Sequence, residues 1–313
     1  MMFGTREEFD YFQCEKCGCL QIKDIPPDLH RFYPDNYYSL NISPNNERPR
    51  KFYSLLQKQR CRTALFGKGY KLNRLIRKFV ELPDEIHIPL GISTGEIIRK
   101  CNIKDFMAPI LDVGCGSYSS WLDRLQILGF ENLTGIDPYI AENRQHGKVR
   151  VLKSDISCLT GQFDLITFHH SFEHIADQLS TLQKIKDLLS PDGVCLIRIP
   201  VVSSYAWEKY GINWVELDAP RHLYLHSNLS MESLVRKAGL KIFDTVYDSL
   251  PFEFYGSEQY ARNIPLNDKN SLWTNPHSTL FSIDEIASFE ALAKKVNKEK
   301  KGGRAGFYLR RTS

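Results

Sequence analysis

The segment Leu111-Asp112-Val113-Gly114-Cys115-Gly116-Ser117 is where residue type and spacing point most directly to ligand chemistry. A short apolar run, residues 109–113, ends at two glycines one residue apart, and a helical pattern follows. Glycines there let the chain turn tightly and let a ligand approach the backbone. An acidic residue, Asp137, lies about 20 residues on, the spacing of a dinucleotide-binding unit. Asp112 argues against that reading, because a carboxylate two residues before the first glycine repels a diphosphate and suits a cationic group such as an ammonium. Asp137 ends the next apolar run, 133–136, where a carboxylate can take both hydroxyls of a ribose. Asp155 follows the third run, 149–152, where a polar side chain can meet an adenine amino group. The competing reading is that each Asp caps a helix. Three carboxylates at three successive strand ends form a more specific pattern than the glycine pair.

The elements that must hold these residues follow from the hydrophobic period. Of 313 residues, 42% are hydrophobic and 25% charged, with a formal charge of +4, which excludes disordered, collagenous and disulfide-scaffold classes. Between residues 109 and 247, short apolar runs alternate with helical stripes: 109–113, 133–136, 149–152, 163–168, 194–199 and 240–246, with a seventh run at 306–309. Trp121, Leu122, Leu125 and Leu128 recur at helical spacing and Gly129 stops that helix. Strands alternating with helices predict an α/β fold with a mostly parallel sheet covered on both faces. Ligands of such sheets bind at the carboxyl ends of the strands. The expected divisions are an N-terminal cysteine and aromatic module (1–47), a basic helical segment (48–108) and an α/β domain (109–313).

The stretch from Ile110 to Phe243 resembles the class I S-adenosylmethionine-dependent methyltransferases. Within them it is similar to the branch common in bacterial surface-polysaccharide gene clusters. The matching stretches are LDVGCG (111–116), GIDP (135–138), FDLITFHHSFEHI (163–175), LLSPDGVCLIRIP (188–200), DAPRHLYLHS (218–227), the GSEQYARNIPL loop (256–266) and the terminal GFYLRR. The resemblance implies a Rossmann-like, doubly wound seven-stranded sheet with its last strand antiparallel. It implies S-adenosylmethionine as cofactor, held by Asp112, Gly114, Cys115, Gly116, Asp137, Pro138, Asp155, Ile156 and His169. Cys115 would be small filler in the loop. Where the family often has a third glycine, this chain has Tyr118.

Methyl transfer to a hydroxyl needs a positioned base, and histidine is the usual choice near neutral pH. His169, His170 and His174 follow the fourth strand; His222 and His226 lie in PRHLYLHS. One of His169 and His170 is expected to contact the cofactor and the other to point toward the acceptor. His222 is the preferred base, and Arg221 could clamp a phosphate or carboxylate of the acceptor. The plainer readings are that His174 caps a helix and His226 packs in a turn. The Asn/Asp-Pro-Pro-aromatic signature of amino-methylating enzymes is absent after the fourth strand, where His169-His170-Ser171-Phe172 stands, which argues against adenine N-methylation. The leading expectation is O-methylation of a sugar or glycan. Alternatives are C-methylation of a nucleotide sugar, a catalytically silent cofactor-binding module, and an RNA-binding methyltransferase.

Cys14-Glu15-Lys16-Cys17-Gly18-Cys19 is half of a zinc-ribbon pattern. Cys14, Cys17 and Cys19 are candidate zinc ligands, with a reduced-thiol cluster as the alternative, since no second CxxC follows. Either the site is lost or an earlier start of the chain would supply the first pair. The segment Tyr33-Pro-Asp-Asn-Tyr-Tyr38 offers aromatics that could border the acceptor. From Arg48 to Val80 there are eleven Lys/Arg and no Asp or Glu. Leu72, Leu75, Ile76 and Phe79 make an apolar face expected to dock on the core, beside a basic face of Lys71, Arg74 and Lys78. Such a stretch could recruit an anionic acceptor or touch an anionic membrane surface. Glu7, Glu8 and Asp10 replace the apolar core of a secretory signal, and the scattered cysteines suit a reducing compartment, so the expected location is cytoplasmic.

Overall fold

A computed structural model describes residue 2 and residues 4–33, 51–87, 89–90 and 92–312. Thirteen strands are present among these residues: β1 (Tyr11–Gln13), β2 (Leu20–Ile22), β3 (Pro89–Leu90), β4 (Ile92–Ser93), β5 (Ile110–Val113), β6 (Leu133–Ile136), β7 (Arg144–His146), β8 (Val149–Leu152), β9 (Phe163–His169), β10 (Leu189–Pro200), β11 (Tyr224–Leu225), β12 (Leu240–Tyr247) and β13 (Arg304–Arg311). The α-helices are α1 (Lys51–Phe66), α2 (Tyr70–Ile76), α3 (Thr94–Lys100), α4 (Ser120–Leu128), α5 (Gln178–Leu188), α6 (Tyr205–Tyr210), α7 (Asn228–Lys237), α8 (Pro251–Ala261) and α9 (Ile283–Lys298).

Eight strands form one sheet in the order β12-β13-β10-β9-β5-β6-β8-β7, with the closing strand antiparallel as expected. β5 pairs parallel with both β6 and β9, and β6 with β8. The expected seven strands become eight because β7 adds an antiparallel edge to β8. Its sequence, Arg-Gln-His, carries no apolar alternation and is mostly exposed. The pairing instead comes from a tight hairpin, in which His146 faces Val149 and Gly147 takes a positive φ of 59°. β10 begins five residues before the expected run, at Leu189, and takes in Pro191, Asp192 and Gly193 as strand.

The chain divides into two compact units, each built from separated segments: Met1–Pro34, His170–Leu179 and Arg198–Tyr308 in the first, and Asp35–His169, Ser180–Ile197 and Leu309–Ser313 in the second. In the first unit the hairpin β1–β2 pairs with β11 in a separate three-stranded sheet. Its apolar core gathers Trp214, Phe254, Phe281, Phe289 and Leu225. The 256–266 segment, read as a loop, starts inside α8, which Pro251 opens.

In the second unit β5 is buried along its whole length, and α4 presents Trp121, Leu122, Leu125 and Leu128 inward. Ser119 caps α4 by accepting from Leu122 N, and Gly129 ends it. The expected docking of the α2 face is not what the structure holds. Leu72, Leu75 and Phe79 are 47%, 70% and 82% exposed and Ile76 is half-buried, while Cys61 and Leu65 of α1 take the buried positions. Arg48 and Arg50 of the basic stretch, and residues 34–38 of the aromatic segment, lie outside the described residues. No described helix is long and apolar enough to cross a membrane. All eight cysteines are free thiols.

Candidate functional site

The glycine loop of the second unit is held by side chains rather than left to its own flexibility. Gly114 and Gly116 have φ of 70° and 67°, values that carry a steric penalty for any residue with a Cβ. Asp137, at the end of β6, accepts from Gly116 N at 3.0 Å and from Tyr139 N at 2.9 Å, so it ties the loop to the neighbouring strand. Asp112 is 4% exposed. Its Oδ2 accepts from Ser119 Oγ at 2.7 Å and its Oδ1 from Thr167 Oγ1 at 2.8 Å. Burial pushes the Asp112 carboxyl up to about 6, against the two hydroxyl donors that favour its charged form. A buried carboxylate of this kind gains from a cationic ligand, which returns the electrostatic stabilisation that burial removes.

The remaining residues expected around the cofactor fall into two groups. Cys115 fills the notch above Gly135, where a Cβ would stand 2.6 Å from its sulfur, and burial raises its thiol well above the usual range. That matches a filler and not a nucleophile. His169 ends β9 with its ring 5.1 Å from that of Trp121. Ile156 is buried, whereas Pro138 is exposed. Asp155 caps the short turn Ile156–Cys158 by accepting from Ser157 N at 2.8 Å, so of the three aspartates it alone does the capping work of the plainer reading. Tyr118 stands 6.3 Å ring to ring from His146, and burial followed by a hydrogen bond with Asp123 raises its phenol. With Ser117, Ser119, Asp123, Arg144 and His146 it lines a cavity of about 240 Å³.

The first unit gathers a second polar group. His170 adopts a φ of 55°, and Phe172–His174 form one short turn that carries Glu173 and His174. Arg221 and His222 arrive from the chain after Asp218, itself at a φ of 41°. Glu173 is fully buried, and neither of its carboxylate oxygens has a hydrogen-bond partner among the described residues. Its Oε1 lies 3.7 Å from His170 Nδ1 and 3.9 Å from His222 Nε2. Burial pushes Glu173 up to about 8, and the negative charge of Glu216 adds to that.

His222 is 6% exposed. Its Nδ1 stands 2.7 Å from the Glu216 carbonyl, which can only accept, so Nδ1 carries the proton and Nε2 the lone pair. Nε2 is 3.7 Å from Asp218 Oδ2. Burial lowers the imidazole to about 3, against the pull of Asp218. Arg304 Nε in turn holds the Glu216 side chain at 2.6 Å. His174 Nδ1 stands 2.8 Å from the Arg221 carbonyl and 3.1 Å from Tyr33 Oη, and its ring lies 4.8 Å from that of His222.

Several expected residues stand elsewhere than the sequence suggested. Arg221 is 3% exposed; its guanidinium bonds Asp218 and reaches the Phe32 carbonyl at 3.5 Å. It braces the Asp218–His222 turn, where the sequence suggested a clamp on the acceptor. His226 packs in the interior, in line with its plainer reading, 2.8 Å from Gln178 Oε1 and 3.0 Å from Ser230 Oγ. Cys14, Cys17 and Gly18 do form a knuckle, with Gly18 N donating to the Cys14 carbonyl at 2.7 Å. Cys19, however, turns into the interior 3.9 Å from His226 Nδ1, and burial raises its thiol to about 11. The three cysteines therefore do not converge as a ligand set. Among the described residues the group whose ligand atoms converge is Glu173, His174 and His222, all within 4.8 Å of one another.

Glu216 and Thr167 were not singled out from sequence, and Glu173 was read only as part of a helix cap with His174. For Glu173 a signal existed: a carboxylate between Phe172 and Ile175, beside a histidine, in a segment that reads as core.

Residues 70–245 match the profile of a family described as "Methyltransferase domain". The ubiquinone biosynthesis O-methyltransferase of Actinobacillus pleuropneumoniae serotype 7 is 33% identical over 125 residues, covering 35% of this chain and 52% of that protein. The protein of that name from Psychrobacter cryohalolentis is 23% identical over 175 residues, covering 52% and 66%. The chain thus spans about half to two thirds of the length of these relatives. Among solved structures, an S-adenosylmethionine-dependent methyltransferase from Clostridium acetobutylicum is similar at 15% identity and a TM-score of 0.41, covering 78% of this chain and 97% of that one. The Burkholderia thailandensis 1,6-didemethyltoxoflavin-N1-methyltransferase is similar at 13% identity and a TM-score of 0.42, covering 87% and 94%. With the profile spanning more than half of its length, this chain belongs to the methyltransferase-domain family.

Proposed function

We propose that this protein transfers the methyl group of S-adenosylmethionine to a hydroxyl oxygen of a sugar or glycan acceptor. The observation that carries the reading is the Asp112 carboxylate, buried at the end of β5 and held by Ser119 and Thr167 above two positive-φ glycines. A charged ammonium is the ligand such a group favours, and the Asp137 carboxylate at the next strand end suits a ribose diol. The family match supports methyl transfer, and the names of the two relatives support oxygen as the acceptor atom.

The reaction is an in-line displacement. The acceptor oxygen forms a bond to the methyl carbon, the carbon–sulfur bond breaks, and its electron pair stays on sulfur to leave a neutral thioether. The hydroxyl proton is taken by His222 Nε2, left as a lone pair because Nδ1 donates to the Glu216 carbonyl. His170, next to Glu173, orients toward the acceptor. His222→Gln is expected to lower turnover by about 100-fold while cofactor affinity holds. Unchanged turnover in that variant removes His222 from the chemistry.

The acceptor is proposed to be anionic, and the exposed apolar face of α2 with its flanking Lys68, Lys71, Arg74, Arg77 and Lys78 supports contact with an anionic surface.

A further inference from the structure

We infer that Glu173, His174 and His222 form a binding site for one divalent first-row transition ion. Three observations carry this. The ligand atoms of the three residues lie within 4.8 Å of one another inside the protein. Glu173 is 0% exposed, and neither carboxylate oxygen has a hydrogen-bond partner among the described residues. A carboxyl at such depth ionises readily only beside a cation. Both imidazoles place Nδ1 against a backbone carbonyl, His222 on Glu216 at 2.7 Å and His174 on Arg221 at 2.8 Å. That outer arrangement is how proteins orient metal-ligating histidines, because it fixes the ring and turns the second nitrogen to the ion.

The donor set is two imidazoles and one carboxylate, which suits zinc, cobalt, manganese or iron over magnesium or calcium. Donors about 2.1 Å from a common ion stand roughly 3–4 Å apart, so binding requires a closing of about 1 Å. His170 Nδ1 at 3.7 Å from Glu173 and Asp218 Oδ2 at 3.7 Å from His222 border the group. The alternative occupant is a proton on Glu173.

The catalytic meaning of the ion rests on the hydroxyl-acceptor reading above. An ion held by Glu173, His174 and His222 would act as a Lewis acid on the acceptor hydroxyl, easing loss of its proton to solvent as oxygen bonds the methyl carbon and the carbon–sulfur bond breaks. With the ion bound, His222 Nε2 is a ligand and the hydroxyl proton goes to solvent; without it, Nε2 is the proton acceptor proposed above.

The test is a titration of the full chain, first stripped with a chelator, with cobalt(II) alone, read by calorimetry and by the cobalt absorption spectrum. One ion per chain with nitrogen and oxygen ligation is expected. Glu173→Gln, His174→Gln and His222→Gln should each weaken it by at least about 100-fold, with S-adenosylmethionine affinity and the circular dichroism spectrum reporting that each variant is folded. If one variant unfolds, the other two carry the test. Cys14→Ser/Cys17→Ser should bind cobalt as the parent does. The site is overturned if the parent takes up no ion, or if uptake is lost in the cysteine variant but kept in the other three. Methyl transfer that persists in a protein without uptake sinks the ion alone. Ion uptake without transfer to any hydroxyl sinks the acceptor reading and leaves the site standing.

Discussion

Thr167 Oγ1 lies 2.8 Å from Asp112 Oδ1, so the middle of β9 fixes the carboxylate at the end of β5. Parallel pairing places Asp112 opposite Thr167, which makes this contact a product of register. Thr167→Val keeps the shape and removes the donor. S-adenosylmethionine affinity is expected to fall about tenfold, the worth of one hydrogen bond to a charged group. Calorimetric titration measures it, and an unchanged affinity would show that Ser119 suffices.

The Asp112 carboxyl, raised to about 6 by burial, also makes a prediction about the cofactor-free protein. Between about pH 4 and pH 6 the unfolded chain gives up this proton while the folded chain keeps it, so stability declines as pH rises through that window. The loss is about 2–3 kcal/mol and is complete near neutrality. Asp112→Asn removes it, so the variant should gain melting temperature over the parent near pH 7 and little near pH 4, while losing cofactor binding. An equal offset at both pH values would contradict the assignment.

Arg198 and Asp248 form a buried ion pair in the first unit, both almost fully inaccessible. Asp248→Ala removes the carboxylate that this buried guanidinium faces, and denaturant unfolding should show a loss of about 3–5 kcal/mol. A loss below about 1 kcal/mol, the range of a surface pair, would mean that water reaches Arg198.

The α2 face predicts a surface phenotype. Cosedimentation with vesicles rich in anionic lipid should exceed that with neutral vesicles and fall at least about tenfold in Leu75→Ala/Phe79→Ala. Equal partition to both vesicle types would remove the membrane role.

Much of this was legible in the sequence, for identifiable reasons. The places of the glycine loop, Asp112 and Asp137 in the fold were readable because parallel strands end at fixed places and each end exposes its next residue. β7 was not, because a strand of Arg-Gln-His is specified by a glycine turn and a free sheet edge rather than by its side chains. Glu173 was not, because its meaning depends on His222, 49 positions away in the chain and 3.9 Å away in space. Arg221 misled because a cation in a polar loop reads the same whether it faces a ligand or braces Asp218. The α2 face misled because an amphipathic pattern states which side is apolar and not what covers it.

Methyl transfer from S-adenosylmethionine to a hydroxyl is tested by incubating the full chain with methyl-labelled cofactor and pools of sugars, nucleotide sugars and glycan intermediates, followed by mass-spectrometric location of the label. A methyl ether on an acceptor oxygen is expected, formed one for one with S-adenosylhomocysteine. Label on carbon or nitrogen, or cofactor binding with no transfer to any of these pools, would contradict it.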